Sequence, residues 1–256
     1  MSPERIELWE DEATNAIEQD SPGAEDRPHL IRYAPKTSAG SAMIVCPGGG
    51  YARRAAHEGE PVARWLAGLG ITSYVLHYRV SPHRHPAPLE DARCAMRIVR
   101  EHAERFGYAK NKIGILGFSA GGHLAAATAI LDDNTEADTR PDLMVLCYPV
   151  VSMVAVPHVG SRRNLLGDDA SEELLQRLSL EKQVGPHTPP AFIWHTSDDA
   201  GVPVEHSLRL AAALSRHQVP FELHSFESGK HGLGLAEDHP QVKSWTHLCE
   251  RWLHAR

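Results

Sequence analysis

Apolar residues in this chain fall into short unbroken runs, and between the runs they recur at helical spacing. Ala42 to Cys46 reads as a buried strand, and Thr72 to Tyr78, Lys112 to Gly117, Leu143 to Tyr148, Ala191 to His195 and Phe221 to Phe226 read as further strands. Pro61 to Leu69 carries Val62, Trp65, Leu66 and Leu69 on one helical face, and Leu89 to Ala103 carries Ala92, Ala95, Met96 and Val99. Gly121 to Leu131 is an alanine-rich helix, and Val204 to Arg216 and Val242 to His254 are amphipathic helices. This alternation predicts an α/β fold, a mostly parallel central sheet with helices on both faces. Residues 1–38 are polar and punctuated by proline, an N-terminal arm with one short strand near Leu30 to Ala34. Val151 to Pro190 is the longest stretch without a strand; it is expected to hold a short helix near Glu172 to Leu178 and to shape a pocket rim. A chain of 256 residues is expected to form one domain, 1–256.

Composition narrows the chemistry. Hydrophobic residues make up 42% and charged residues 23%, a globular balance. The net charge is -7, without a Lys/Arg run, which argues against nucleic acid as a partner. No basic amphipathic segment or long apolar stretch argues for a membrane. Met1 to Asp20 is rich in Glu and Asp and lacks the basic start and apolar run of a signal peptide. Cys46, Cys94, Cys147 and Cys249 are scattered, which argues against a disulfide framework and makes the cytoplasm the expected location. The 17 histidines show no metal-ligand spacing, so neither a metal nor another cofactor is expected.

In a parallel sheet, chemistry gathers in the loops beyond the carboxyl ends of the strands. Gly117-Phe118-Ser119-Ala120-Gly121 lies between a predicted strand and a predicted helix, the context of a nucleophile elbow. Glycines on either side clear room for a sharp turn that exposes the Ser119 hydroxyl. The following helix points the positive end of its dipole at the place where negative charge develops. A serine hydroxyl needs a base. His231, between Gly229 and Gly232 beyond the last strand, is the candidate; His224 lies inside a strand and His239 precedes Pro240. An acid is expected between serine and histidine in chain order. Asp198 and Asp199 follow the strand Ala191 to His195, and the residues alone do not separate them. Acyl transfer also needs donors for the oxyanion. Pro47-Gly48-Gly49-Gly50-Tyr51 follows the first buried strand and offers backbone N–H groups, with the N–H of Ala120 beside the nucleophile. A nucleotide-binding loop is disfavoured, since no Gly-x-Gly-x-x-Gly opens a helix here.

These stretches, together with His57-Glu58-Gly59-Glu60, Tyr78-Arg79-Val80, His85-Pro86-Ala87-Pro88-Leu89 and Pro189-Pro190-Ala191, resemble the bacterial acetylesterase and xylan-esterase-like branch of the α/β-hydrolase superfamily. That branch lies near the hormone-sensitive-lipase-like and feruloyl-esterase-like esterases. The resemblance runs over roughly residues 42–253. It implies the α/β-hydrolase fold, a triad of Ser119, Asp199 and His231, and an oxyanion hole at Gly49, Gly50 and Ala120. Asp199 is singled out by the pattern His195-x-x-x-Asp199-x-x-Val202-Pro203. The implied activity is a serine carboxylesterase acting on a small-molecule ester with a short acyl group, acetylated sugars or xylo-oligosaccharides among them. An amidase or formamidase using the same triad is the alternative enzyme, and a non-catalytic binding protein the alternative outside enzymes. Pro47 stands where lipase-like relatives carry histidine, which leaves the choice of glycine donors open. The arm is too short and polar for a large helical cap domain. His57-Glu58 is expected beside the oxyanion loop in a structural role.

Overall fold

A computed structural model describes residues 3–9, 27–132 and 139–256. Its strands are β1 (Glu4–Glu7), β2 (His29–Tyr33), β3 (Ala42–Cys46), β4 (Thr72–His77), β5 (Ile113–Phe118), β6 (Leu143–Cys147), β7 (Ala191–Thr196) and β8 (Phe221–Phe226). They form one sheet in the order β1-β2-β4-β3-β5-β6-β7-β8. From β4 to β8 all pairs are parallel, whereas β1 and β2 join antiparallel at one edge. The helices are α1 (Glu60–Gly68), α2 (Ala87–Glu101), α3 (Ala103–Phe106), α4 (Ser119–Ile130), α5 (Val159–Leu166), α6 (Glu172–Arg177), α7 (Glu205–Arg216), α8 (Pro240–Lys243) and α9 (Trp245–His254).

Strand alternation assigns the two cores. Ile44 and Cys46 face one core with α2, α4 and α7, through Ala95, Leu124 and Leu210. Met43 and Val45 face the other with α1 and α9, through Leu66, Trp245 and Trp252. Removing a side chain such as Ile44 or Leu66 fully from water contributes about 1.5–3 kcal/mol. This two-faced burial explains why the central strands are unbroken apolar runs. All four cysteines are free and buried. Among the described residues no helix is long and apolar enough to cross a membrane.

Two parts of the chain depart from expectation. The N-terminal arm contributes two strands rather than one, since β1 pairs with β2 in the register Glu4↔Arg32 to Glu7↔His29. Trp9 also reaches into the fold, donating its indole N–H to Asp91 Oδ1 at 3.0 Å. Asp91 is fully buried against Arg79, 2.9 Å away, which ties the loop after β4 to α2. The 151–190 stretch holds α5 as well as the expected helix, α6. The predicted C-terminal helix divides at Ser244 into α8 and α9. No large cap is built among the described residues.

Candidate active site

The turn from β5 into α4 places Ser119 at φ +51°, in the left-handed region that a side chain occupies only under constraint. The constraint is visible on both sides. A Cβ at Gly117 would lie 2.1 Å from the Gly121 carbonyl oxygen, and one at Gly121 would lie 2.1 Å from the Cys46 carbonyl oxygen. Only glycines let β3, β5 and α4 approach this closely. From behind, Val150 N–H donates to the Ser119 carbonyl at 3.0 Å.

Ser119 Oγ is 2.8 Å from His231 Nε2, and His231 Nδ1 is 2.7 Å from Asp199 Oδ2. A carboxylate only accepts, so Nδ1 carries the proton and Nε2 is free to accept from the serine. The other carboxylate oxygen, Oδ1, accepts from Gly201 N–H at 2.8 Å and Val202 N–H at 2.9 Å. Burial by itself would raise the Asp199 pKa. The nearby His195 imidazole and hydrogen bonds from His231 and the Val202 N–H outweigh it and hold the carboxyl well below the usual range. The structure thus joins all three sequence-predicted residues in one hydrogen-bonded line, each on the loop or helix that follows a parallel strand.

Asp198 faces away from that line. It accepts from Ser228 Oγ at 2.7 Å and Gly229 N–H at 2.8 Å, and so pins the segment leading to His231. The other candidate histidines stay apart: His224 faces Glu222 at 3.1 Å, and His239 precedes α8.

The glycine loop is oriented by its carbonyls. Gly48 C=O accepts from Ala55 N–H at 2.9 Å, and Gly49 C=O accepts from Ala52 N–H at 3.1 Å. In a trans peptide the N–H points opposite to the C=O. The N–H groups of Gly49 and Gly50 are therefore turned away from those partners. Positive φ values of +124° at Gly49 and +66° at Gly50 make the bend possible. The Gly48 N–H is already taken by Glu58 Oε2 at 2.8 Å. The N–H of Ala120 lies in the first turn of α4, where helix donors lack an internal partner.

Four neighbours were not singled out in the sequence. His195, read as a strand residue, donates from Nε2 to Val202 C=O at 2.8 Å and lies 3.5 Å from Asp199 Oδ2. Tyr148 packs edge-on to His231, ring centroids 5.0 Å apart. Asn164, on α5, donates from its side-chain amide to Gly50 C=O at 2.8 Å. His158 caps α5, accepting from Ser161 N–H at 3.2 Å, and burial lowers its pKa. Only His195 belongs to a short local pattern, the one that singled out Asp199, and no role for its own side chain was read from it. Of the other three, only the position of Tyr148, where a strand ends, carried a signal.

A parallel sheet crossed by helices on both faces, with a serine on a strained strand-to-helix turn, defines an α/β hydrolase. Residues 31–214 match the BD-FAE family, and the chain belongs to it. The acetyl ester-xyloside bifunctional hydrolase from Caldicellulosiruptor lactoaceticus has a structure that superposes with a TM-score of 0.89 at 47% identity, covering 98% of this chain and 96% of that one. Endo-1,4-beta-xylanase B from Butyrivibrio fibrisolvens is 41% identical over 208 residues, which are 77% of this chain and 33% of that protein. Acetylxylan esterase from Xylanibacter ruminicola is 34% identical over 212 residues, 80% of this chain and 44% of that protein. The chain thus spans less than half the length of these two curated relatives. The expected resemblance to acetylesterases and xylan esterases stands.

Proposed function

We propose that the chain is a serine carboxylesterase that hydrolyses short acyl esters, acetylated sugars among them. The observation that carries this reading is the line from Ser119 through His231 to Asp199, with 2.8 Å and 2.7 Å steps. Ser119 Oγ attacks the ester carbonyl carbon while its proton passes to His231 Nε2. The resulting oxyanion accepts from N–H groups of Gly49, Gly50 and Ala120. The carbon–oxygen bond to the alcohol then breaks, and His231 returns the proton to the departing alkoxide. Water attacks the acyl-enzyme in the second half, with His231 as base, and the carboxylic acid leaves as the proton returns to Ser119. The ionised Asp199 holds the imidazole orientation and stabilises its charged form.

The surroundings support a small, polar substrate. On the α5 side the loop meets Asn164 and Ser161, with His158 capping the helix. The reading is tested with Ser119→Ala, whose turnover of aryl acetates should fall by several powers of ten in a folded protein. An organophosphonate should label Ser119. Label on another residue, or near-full activity of Ser119→Ala, would overturn the assignment.

A further inference from the structure

Glu58 is a carboxylate in an unusual place. Only 2% of its surface is exposed, and it sits directly against the nucleophile turn. A Cβ placed on Gly48 would lie 2.7 Å from Glu58 Oε2 and 3.0 Å from the Ser119 Cβ. A buried carboxylate is expensive unless its lone pairs are satisfied. Here both oxygens are used. Oε2 accepts the Gly48 N–H at 2.8 Å, and Oε1 accepts the Tyr148 hydroxyl at 2.6 Å. The Tyr148 oxygen in turn accepts from Gly234 N–H at 2.8 Å, three residues beyond His231. Tyr148 itself is held at φ +38°, with its ring edge-on to the His231 imidazole. His57, next in the chain, donates from Nε2 to Gly232 C=O at 2.9 Å.

One continuous path therefore runs from the glycine loop through Glu58 and Tyr148 to the loop that carries His231. Its ends are the two parts that must stay in register during acyl transfer. We propose that Glu58 and Tyr148 are positioning residues that brace the oxyanion loop against the histidine loop, a role that rests on the esterase reading above. Glu58 fixes the Gly48 peptide and thereby the direction of the Gly49 and Gly50 N–H groups that follow. Tyr148 carries that constraint across to the imidazole. The brace acts on the transition state, since oxyanion donors must meet an oxygen whose position changes as the carbonyl becomes tetrahedral. Ground-state binding of the ester is left nearly alone.

The test uses Glu58→Gln and Tyr148→Phe, each close in shape to the original, and the double variant. Assayed on an aryl acetate, each single change should lower kcat by roughly 10- to 100-fold with KM within about twofold, the pattern of an interaction made in the transition state. The double variant should be little slower than the worse single one, because both break the same path. Affinity for a trifluoromethyl ketone, which forms a tetrahedral adduct with the serine, should fall in step with kcat/KM. A plain loss of folding would instead remove active sites without changing the inhibition constant of those remaining. Full kcat in Glu58→Gln, a loss carried by KM alone, or losses that multiply in the double variant would each overturn the brace. Wild-type protein that hydrolyses no ester, with Ser119 unlabelled by phosphonate, would instead overturn the esterase reading and the brace with it.

Discussion

Side chains of Asp198 and Asp199 leave one turn for different partners, and the difference is chemical. Asp199 meets His231, while Asp198 accepts from Ser228 and Gly229 at the surface. Asp199→Asn should cost about 10⁴-fold in kcat, because an amide can favour the wrong imidazole tautomer. Asp198→Asn should cost less than about tenfold, through a loosened approach to His231. Steady-state kinetics of the two variants decides this, and equal losses would place the acid elsewhere. The Asp199 carboxyl also carries a pH signature. Because its folded pKa is depressed, the unfolded chain takes up the proton first, near pH ~4. The stability it contributes is present above that pH and is lost as the pH falls further. Ser119 and His231 were legible in the sequence, since glycines mark both turns. The choice between the two aspartates was not, because spacing does not say which way a side chain leaves a turn; the family pattern around His195 supplied it. Tyr148 and Asn164 went unseen because their partners lie 86 and 114 residues away.

The β5–turn–α4 element shows how little freedom Ser119 has. Gly121→Ala would push a methyl group into the Cys46 carbonyl oxygen, where backbone rather than a flexible side chain must yield. A destabilisation of at least about 1–3 kcal/mol is expected, with activity falling further than stability as Ser119 is displaced. Urea unfolding beside turnover per phosphonate-titrated site checks both parts. The central strands were legible because burial on two faces leaves an apolar run. β1 was not, because its Glu-Arg-Ile-Glu sequence has one apolar residue and belongs to a charged sheet edge. α5 escaped for a related reason. Its sequence begins Val-Gly-Ser-Arg-Arg, without an apolar stripe, and its cap is a histidine accepting from Ser161 N–H at 3.2 Å.

Over the whole molecule, buried neutral histidines set a limit on acid stability. Burial holds His206 at about 3 and His123 at about 4, well below an ordinary imidazole. His206 Nδ1 accepts from the N–H groups of Val151 and Ser152, and His123 Nδ1 accepts from the Tyr51 hydroxyl, so both must stay neutral. The unfolded chain protonates near pH ~6.5, and stability falls from there downward by roughly 1.4 kcal/mol per pH unit for each such histidine. Urea unfolding at pH 7, 6 and 5 should show this decline, and His206→Gln should flatten it by close to one proton; a flat wild-type profile would contradict the reading. The polar character of residues 151–190 makes a second forecast. Acetyl and propionyl p-nitrophenyl esters should have higher kcat/KM than esters of eight or more carbons. Each extra methylene is worth about 0.8 kcal/mol only where apolar cover exists, so a rise beyond six carbons would point to a lipase-like groove. The hydrogen bond from Asn164 to Gly50 bears on how such specificity is inherited or redesigned. α5 lies in the stretch expected to shape the rim, and through Asn164 it also holds the glycine loop, so that stretch is not an interchangeable accessory. A transplanted rim without an amide at position 164 should slow every ester, acetyl included. Substrate range and rate would then change together, in evolution and in the laboratory alike.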